Sequence, residues 1–190
     1  GNPISRNAGE VLGVFGATTF TNPDPKERLH SSVLLKNLYE MEEWLKELKP
    51  PPWQKDLFGP VDMKKAEAGK KLFDNDCRSC HHMPPYDRPG ELTNAADNMK
   101  GQRFITITGT PFNLVGTDSA YTRNLITRTA ETGTLGPVLF KNPSIVSGAE
   151  MFFRAVGGVL GQAFFDQDVS PEDRCKYSGY RFKPADPPNC

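Results

Sequence analysis

The chain has 190 residues, enough for one domain that buries a core unaided. Its 23 basic and 23 acidic side chains cancel; no polybasic stripe interleaved with aromatics sets it up for nucleic acid, and no stretch approaches the ~20 apolar residues of a membrane span. Only 37% of the residues are apolar, against 17 glycines and 17 prolines, so a loop-rich chain with a thin core is expected, one that a large rigid apolar cofactor would complete.

The chain opens at Gly1 with no charged-then-apolar leader, as expected of a processed product or an excerpt from which a secretion signal has been removed. Residues 1–30 read as irregular. Their one apolar run is "RNAGEVLGVFG" (6–16), whose Gly9, Gly13 and Gly16 suit turns or close backbone approach. Residues 32–48 carry the clearest helical pattern: Leu34, Leu38, Met41, Leu45 and Leu48 step by 4, 3, 4 and 3 along one face. Ser31 or Ser32 can cap that helix and "KPPP" (49–52) stops it. The pattern is too short for a coiled-coil seam, so the face, Met41 included, is expected against the protein's own core.

"KPPPWQKDLFGP" (49–60) is a stiff, extended connector ending in a turn. Asp62 can then cap a helix over 63–76, with Ala66, Gly69, Leu72 and Phe73 on one side and charges on the other. Glycine inside a helix costs about 1 kcal/mol relative to alanine, which predicts a close approach at Gly69 by another helix or a cofactor edge. The helix leads into Cys77. "MPPYDRPGELTNAADNMKGQ" (83–102) reads as loop, "RFITIT" (103–108) as one short strand, and "GTDSAYTRNLITRTAE" (116–131) as a helix capped by Asp118. A last helix is expected over 147–165, interrupted by Gly157 and Gly158. Cys175 and Cys190 flank a turn-rich loop; a disulfide between them would contribute about 3 kcal/mol and imply an oxidising compartment. The alternative is two unpaired thiols or pairing with another chain.

The chemistry is concentrated in "CRSCH" (77–81), a C-x-x-C-H pattern that reads as a c-type haem attachment site. Two thiols separated by two residues match the spacing needed for thioethers to the two haem vinyl groups, and the next residue, His81, falls under the iron as its proximal imidazole. One rival is a zinc knuckle using Cys77, Cys80, His81 and Cys175 or Cys190. Adjacent Cys80 and His81 suit it poorly, and no second closely spaced ligand pair accompanies them. A redox C-x-x-C is the other rival, but no βαβ pattern surrounds it.

"GKKLFDNDCRSCH" (69–81) resembles the N-terminal helix and haem site of class I c-type cytochromes, in which G-x-x-L-F-x-x-x-C-x-x-C-H is a common form. "RNAGEVLGVFG" (6–16), "LKPPPWQKDLFGPVD" (48–62) and "VGTDSAYTRN" (115–124) resemble segments of the di-haem cytochrome c peroxidase-related proteins of the rubber-oxygenase type. The resemblance implies a mainly α fold: a class I cytochrome c-like haem core with long Gly/Pro-rich loops and at most a short strand or two. Members of that family carry a reactive haem and an electron-transfer haem. This sequence has a single motif and no "LHNGS"-like stretch, so it resembles one haem domain of such a protein, with a further chain or domain as a candidate to complete the haem pocket. Class I cytochromes also use a proline-containing loop to orient the proximal histidine, which points to a carbonyl around Arg88–Pro89 as acceptor for the second ring N–H of His81.

For the other face of the iron, Met99 is the favoured distal candidate. An open or externally supplied position comes close behind. His30, far upstream, could fold over the haem but reads rather as a surface histidine at a helix entry. Met151 reads equally as core, Met63 begins the helix leading to the motif, Met83 is too close to His81, and His82 is expected toward solvent or a propionate. Arg6 and Arg103 are candidate propionate partners. A methionine ligand would make an electron carrier, whereas an open position would admit peroxide or dioxygen, with Glu91, Asp97 or Glu150 as an acid/base group. The expected organisation is an N-terminal extension (1–60) whose helix packs on the core, a haem domain (61–170) and a C-terminal loop (171–190). The expected function is electron transfer by one covalent haem c in an exported, periplasmic or extracellular protein with a redox protein partner. The alternative is a haem peroxidase or oxygenase, or the electron-feeding domain of one.

Overall fold

The computed structural model describes residues 3–97, 101–107, 109–141 and 143–177. These are mainly helical. Helix α1 (Pro3–Val14), α2 (Leu35–Leu45), the short α3 (Lys55–Phe58) and α4 (Met63–Asp76) precede the cysteine motif. The short α5 (Phe112–Val115), α6 (Ala120–Thr127), strand β1 (Thr129–Glu131), the short α7 (Gly136–Leu139), strand β2 (Ile145–Ser147), α8 (Gly148–Asp166) and α9 (Pro171–Tyr177) follow it. The two strands pair antiparallel, with Ala130 opposite Val146.

Helix α8 is the spine. Val156, Val159, Leu160 and Ala163 along it meet Ile4 and Ala8 of α1, Leu35 and Leu38 of α2, and Tyr177 of α9 in one buried cluster. A second, smaller cluster of Leu135, Phe140 and Val146 takes in Leu29, Leu139 and Met151. Two glycines allow these approaches: a Cβ on Gly9 would lie 3.1 Å from the Phe152 ring, and one on Gly158 would lie 3.1 Å from Leu139. Gln167, just past α8, ties the spine to α2. Its side-chain oxygen accepts from the Leu35 amide at 3.1 Å and its NH2 donates to the Val33 carbonyl at 2.8 Å. The predicted serine cap of α2 is therefore replaced by a side chain 132 residues away, while Ser32 accepts from Ala17 N–H instead.

Several expectations are corrected. Residues 3–14 are helix rather than irregular: Gly9 stands where Phe152 of α8 packs closely, whereas no such neighbour lies at Gly13 among the described residues. The α2 face is rotated from the predicted one: Leu35 and Leu38 are buried, whereas Leu34, Met41, Leu45 and Leu48 are exposed. "RFITIT" forms no strand, only an isolated bridge between Ile105 and Leu92; Thr108 lies outside the described residues. The end of the predicted 116–131 helix turns into β1, Ser119 stands at the N-cap of α6, and Asp118 accepts from Ala120 N–H. Gly157 and Gly158 do not interrupt α8, which Ser147 caps through Glu150 N–H. Helix α4, by contrast, has its predicted bounds and its predicted Asp62 cap, which accepts from Lys64 and Lys65 N–H. Cys175 is buried and disulfide-bonded; Cys190, its expected partner, lies outside the described residues. No helix among the described residues is long and apolar enough to cross a membrane.

The rotation of α2 has a direct measurable consequence. Leu35→Ala removes a fully buried side chain and is expected to cost about 2–5 kcal/mol in denaturant unfolding, while Leu45→Ala, on the exposed side, changes stability by less than about 0.5 kcal/mol. The opposite ranking would restore the face read from the leucine spacing.

Candidate functional site

The motif sits on the turn that ends α4. Cys77 and Arg78 N–H both donate to the Phe73 carbonyl at 2.9 Å, and Cys80 and His81 N–H both donate to the Cys77 carbonyl, at 3.1 and 2.9 Å. The chain thus makes one more helix-like turn. Positions 77, 80 and 81, related as i, i+3 and i+4, share a side of such a turn, and position 78, about 100° round from 77, lies at its edge. Exposure follows the same division: Cys77, Cys80 and His81 are exposed and Arg78 is buried. Both cysteines are free thiols.

Beneath the turn, Arg78 grips Glu91 with a two-pronged contact, Nε to Oε1 at 2.8 Å and Nη2 to Oε2 at 3.0 Å. Nη2 also donates to Asp87 at 2.5 Å and Nη1 to Asp74 at 3.3 Å. Arg88 N–H adds a third donor to the Glu91 carboxylate, at 3.0 Å. Glu91 and Arg78 are 2% and 5% exposed. The Arg78 guanidinium beside it holds the Glu91 carboxyl down at about 2, against the cost of its burial. Asp87 and Asp74 are lowered too, Asp87 mainly by its hydrogen bond with Arg78 and Asp74 mainly by one with Lys70.

From Tyr39 to Glu131, Arg78 and Glu91 are the only buried side chains among the described residues. Helix α4 buries nothing, and Leu72 on it is 64% exposed. Among the described residues nothing lies within 4 Å of where a Gly69 Cβ would stand, so none of them makes the predicted close approach there. Phe104, Ile105, Phe112, Leu114 and Val115 are exposed as well. This segment therefore joins an electrostatic centre to an uncovered apolar surface.

Other predicted positions fall elsewhere. His82 does not face solvent: its ring is largely buried, and Nδ1 lies 3.6 Å from Glu91 Oε1 with no hydrogen-bond partner. Glu91 is committed to Arg78 rather than free as a distal acid, and Glu150 pairs with Arg154 at 3.0 Å. His30 is held by Asp166 of α8 at 2.7 Å. Met151 packs into the second apolar cluster. Arg103 donates to the Thr93 carbonyl, and Arg6 acts on Glu42, whose carboxyl burial pushes up. The Arg88 carbonyl accepts from Glu91 N–H at 3.3 Å. Met99 lies outside the described residues, and Asp97 is exposed in a short 3-10 turn.

No protein-family model matches the chain, and no solved structure matches it. The chain is 30% identical over 142 residues to uncharacterized protein y4iJ of Sinorhizobium fredii (strain NBRC 101917 / NGR234), across 66% of its own length and 23% of that protein's. It thus spans under a quarter of the length of this relative.

A haem would ask less of the donor set than a bare metal ion would. Among the described residues no three His, Cys, Asp or Glu side chains gather as a metal-holding group, as a tetrahedral zinc site would require. A porphyrin brings four nitrogens of its own and needs one imidazole from this side of the chain, together with apolar surface. His81 and the exposed apolar side chains are the residues that would hold such a group.

Sequence reasoning singled out the thiols and the imidazole but missed Arg78. The available signal was Asp74 four residues before it, an i,i+4 pair on a helix.

The ion pair dictates a pH dependence. Glu91 is held at about 2, below its ordinary value of 4.5. Its contribution to stability is therefore complete above about 4.5 and is lost as the pH falls toward about 2. Guanidinium unfolding midpoints are expected to drop across that interval, and Glu91→Gln to remove part of the drop. An unchanged slope in the variant would show that the carboxylate is not held in this way.

Proposed function

We propose that this chain is a mono-haem c-type cytochrome domain that transfers electrons. The observation that carries the reading is the placement of two free thiols and one imidazole on the same exposed side of the turn ending α4. Cys77 and Cys80 hold the haem covalently, and His81 is its proximal ligand. Haem c so held supplies a one-electron ferric/ferrous couple. Leu72 and the exposed apolar residues of the 104–115 region cover its faces, and Met99 is the candidate sixth ligand. The electron leaves through the exposed haem edge to a redox protein partner.

A class I cytochrome c-like core is part of the same proposal, resting on the helix-then-motif arrangement of residues 63–81. So is export, since the disulfide at Cys175 belongs in an oxidising compartment. As a fragment-length match to a longer relative, the domain works as one haem module of a larger assembly.

The test is the visible spectrum of protein made in a host that matures c-type cytochromes. The expected result is a haem that resists acid–acetone extraction, with low-spin bands and an iron–sulfur charge-transfer band that Met99→Ala abolishes. A non-extractable high-spin haem would move the assignment to peroxide or dioxygen chemistry. Colourless protein would overturn the reading altogether.

A further inference from the structure

We infer that Arg78 and Glu91 are positioning residues for haem attachment: their buried two-pronged contact sets the turn on which Cys77, Cys80 and His81 are presented. The inference rests on the reading of the motif as a haem site, and it assigns work to residues that the motif leaves unspecified.

The argument begins with geometry. Arg78 stands between the two cysteines in sequence and, unlike them, is buried. Fixing its side chain therefore fixes the direction in which its neighbours point. Its guanidinium is planar and is held by Glu91 along two parallel contacts of 2.8 and 3.0 Å, so it has little freedom to rotate. Asp74 on the last turn of α4 accepts from the remaining Nη1, and Asp87 in the following loop shares Nη2 with Glu91. Glu91 is itself anchored: its N–H donates to the Arg88 carbonyl and its carbonyl accepts from Thr106 N–H at 2.9 Å. The turn is thus bound to α4, to the 83–90 loop and to the 104–106 segment through one cation.

The second argument is what else is available to do this. No apolar side chain between Tyr39 and Glu131 is fully buried among the described residues, those beside the turn (Phe73, Met83 and Tyr86) being half-buried. The buried contacts described at the turn are therefore those of the ion pair. The ion pair uses only the chain's own groups.

The chemistry needs such a set position. Each thiol adds across one vinyl double bond. Its sulfur forms a C–S bond to one carbon, its hydrogen goes to the other, and the S–H bond and the vinyl π bond are consumed. No external oxidant or reductant enters this balance, but both sulfurs must reach their own vinyl on one rigid macrocycle. A turn that wanders brings one sulfur into reach and leaves the other behind.

The experiment compares haem per chain, and the share of chains carrying one thioether rather than two, by absorbance and peptide mass. The proteins are the wild type, Arg78→Lys and the double variant Arg78→Met/Glu91→Leu, all matured in the same host, with far-UV circular dichroism on each. The double variant leaves no unpaired buried charge, a replacement proteins often tolerate. With wild-type helical signal, it is expected to load at least fivefold less haem and to accumulate the single-thioether product. Arg78→Lys keeps the charge but loses the fork, and is expected to fall between the two. Full two-thioether loading of either variant overturns the inference. Failure of the wild type itself to take up haem overturns instead the reading on which it rests.

Discussion

The pair formed by Arg78 and Glu91 holds a part of the chain in which no apolar side chain is buried among the described residues. Burying a cation and an anion costs several kcal/mol per ion before their attraction is counted, and the cost is recovered only where the geometry is good and the spare hydrogen-bonding groups are satisfied. Here the guanidinium meets three carboxylates and the Glu91 carboxylate meets three N–H groups. An apolar pair of the same volume could fill the space, but it would leave the turn free to rotate. The electrostatic solution gives direction as well as cohesion.

The rest of the molecule follows a different logic. Residues 3–39 and 133–177 build a helical core around α8 by ordinary burial, with glycines at the crossings and one glutamine closing the start of α2. His30 and Arg28 fasten the N-terminal loop to this core, His30 through Asp166 and Arg28 through the Thr134 carbonyl. Neither takes part in the site. The core stabilises itself through removal of apolar surface from water, whereas the site depends on charge and on an apolar surface that the chain leaves uncovered.

That division explains what could be read from the sequence. Helix α4 was legible to the residue because its signals are local: Asp62 at the cap, a polar run, and cysteines at its end. The thiols and His81 were legible for the same reason. Helix α1 was not, since Gly9 looks like a helix breaker until Phe152 is seen beside it. The leucine stripe of α2 pointed to the wrong side because α1 and α9 meet the helix on Leu35, Leu38 and Tyr39, and neighbours, not spacing, choose the face. Arg78 and Glu91 lie 13 residues apart across a proline-rich loop, and no periodicity links them. Glu91 looked like a spare acid only because its partner was hidden inside the motif.

The two halves of the core also stand far apart in the chain, so the described residues between α2 and α6 are an excursion that leaves the core and returns to it. Both of its ends are pinned by α2 on one side and by the β1–β2 pairing and α8 on the other. The entropy of closing such a loop rises only as the logarithm of its length, about 0.6 kcal/mol per doubling. The scaffold is therefore nearly indifferent to how long the excursion is, and insertions or deletions there can reshape the site while the helices that carry it stay as they are.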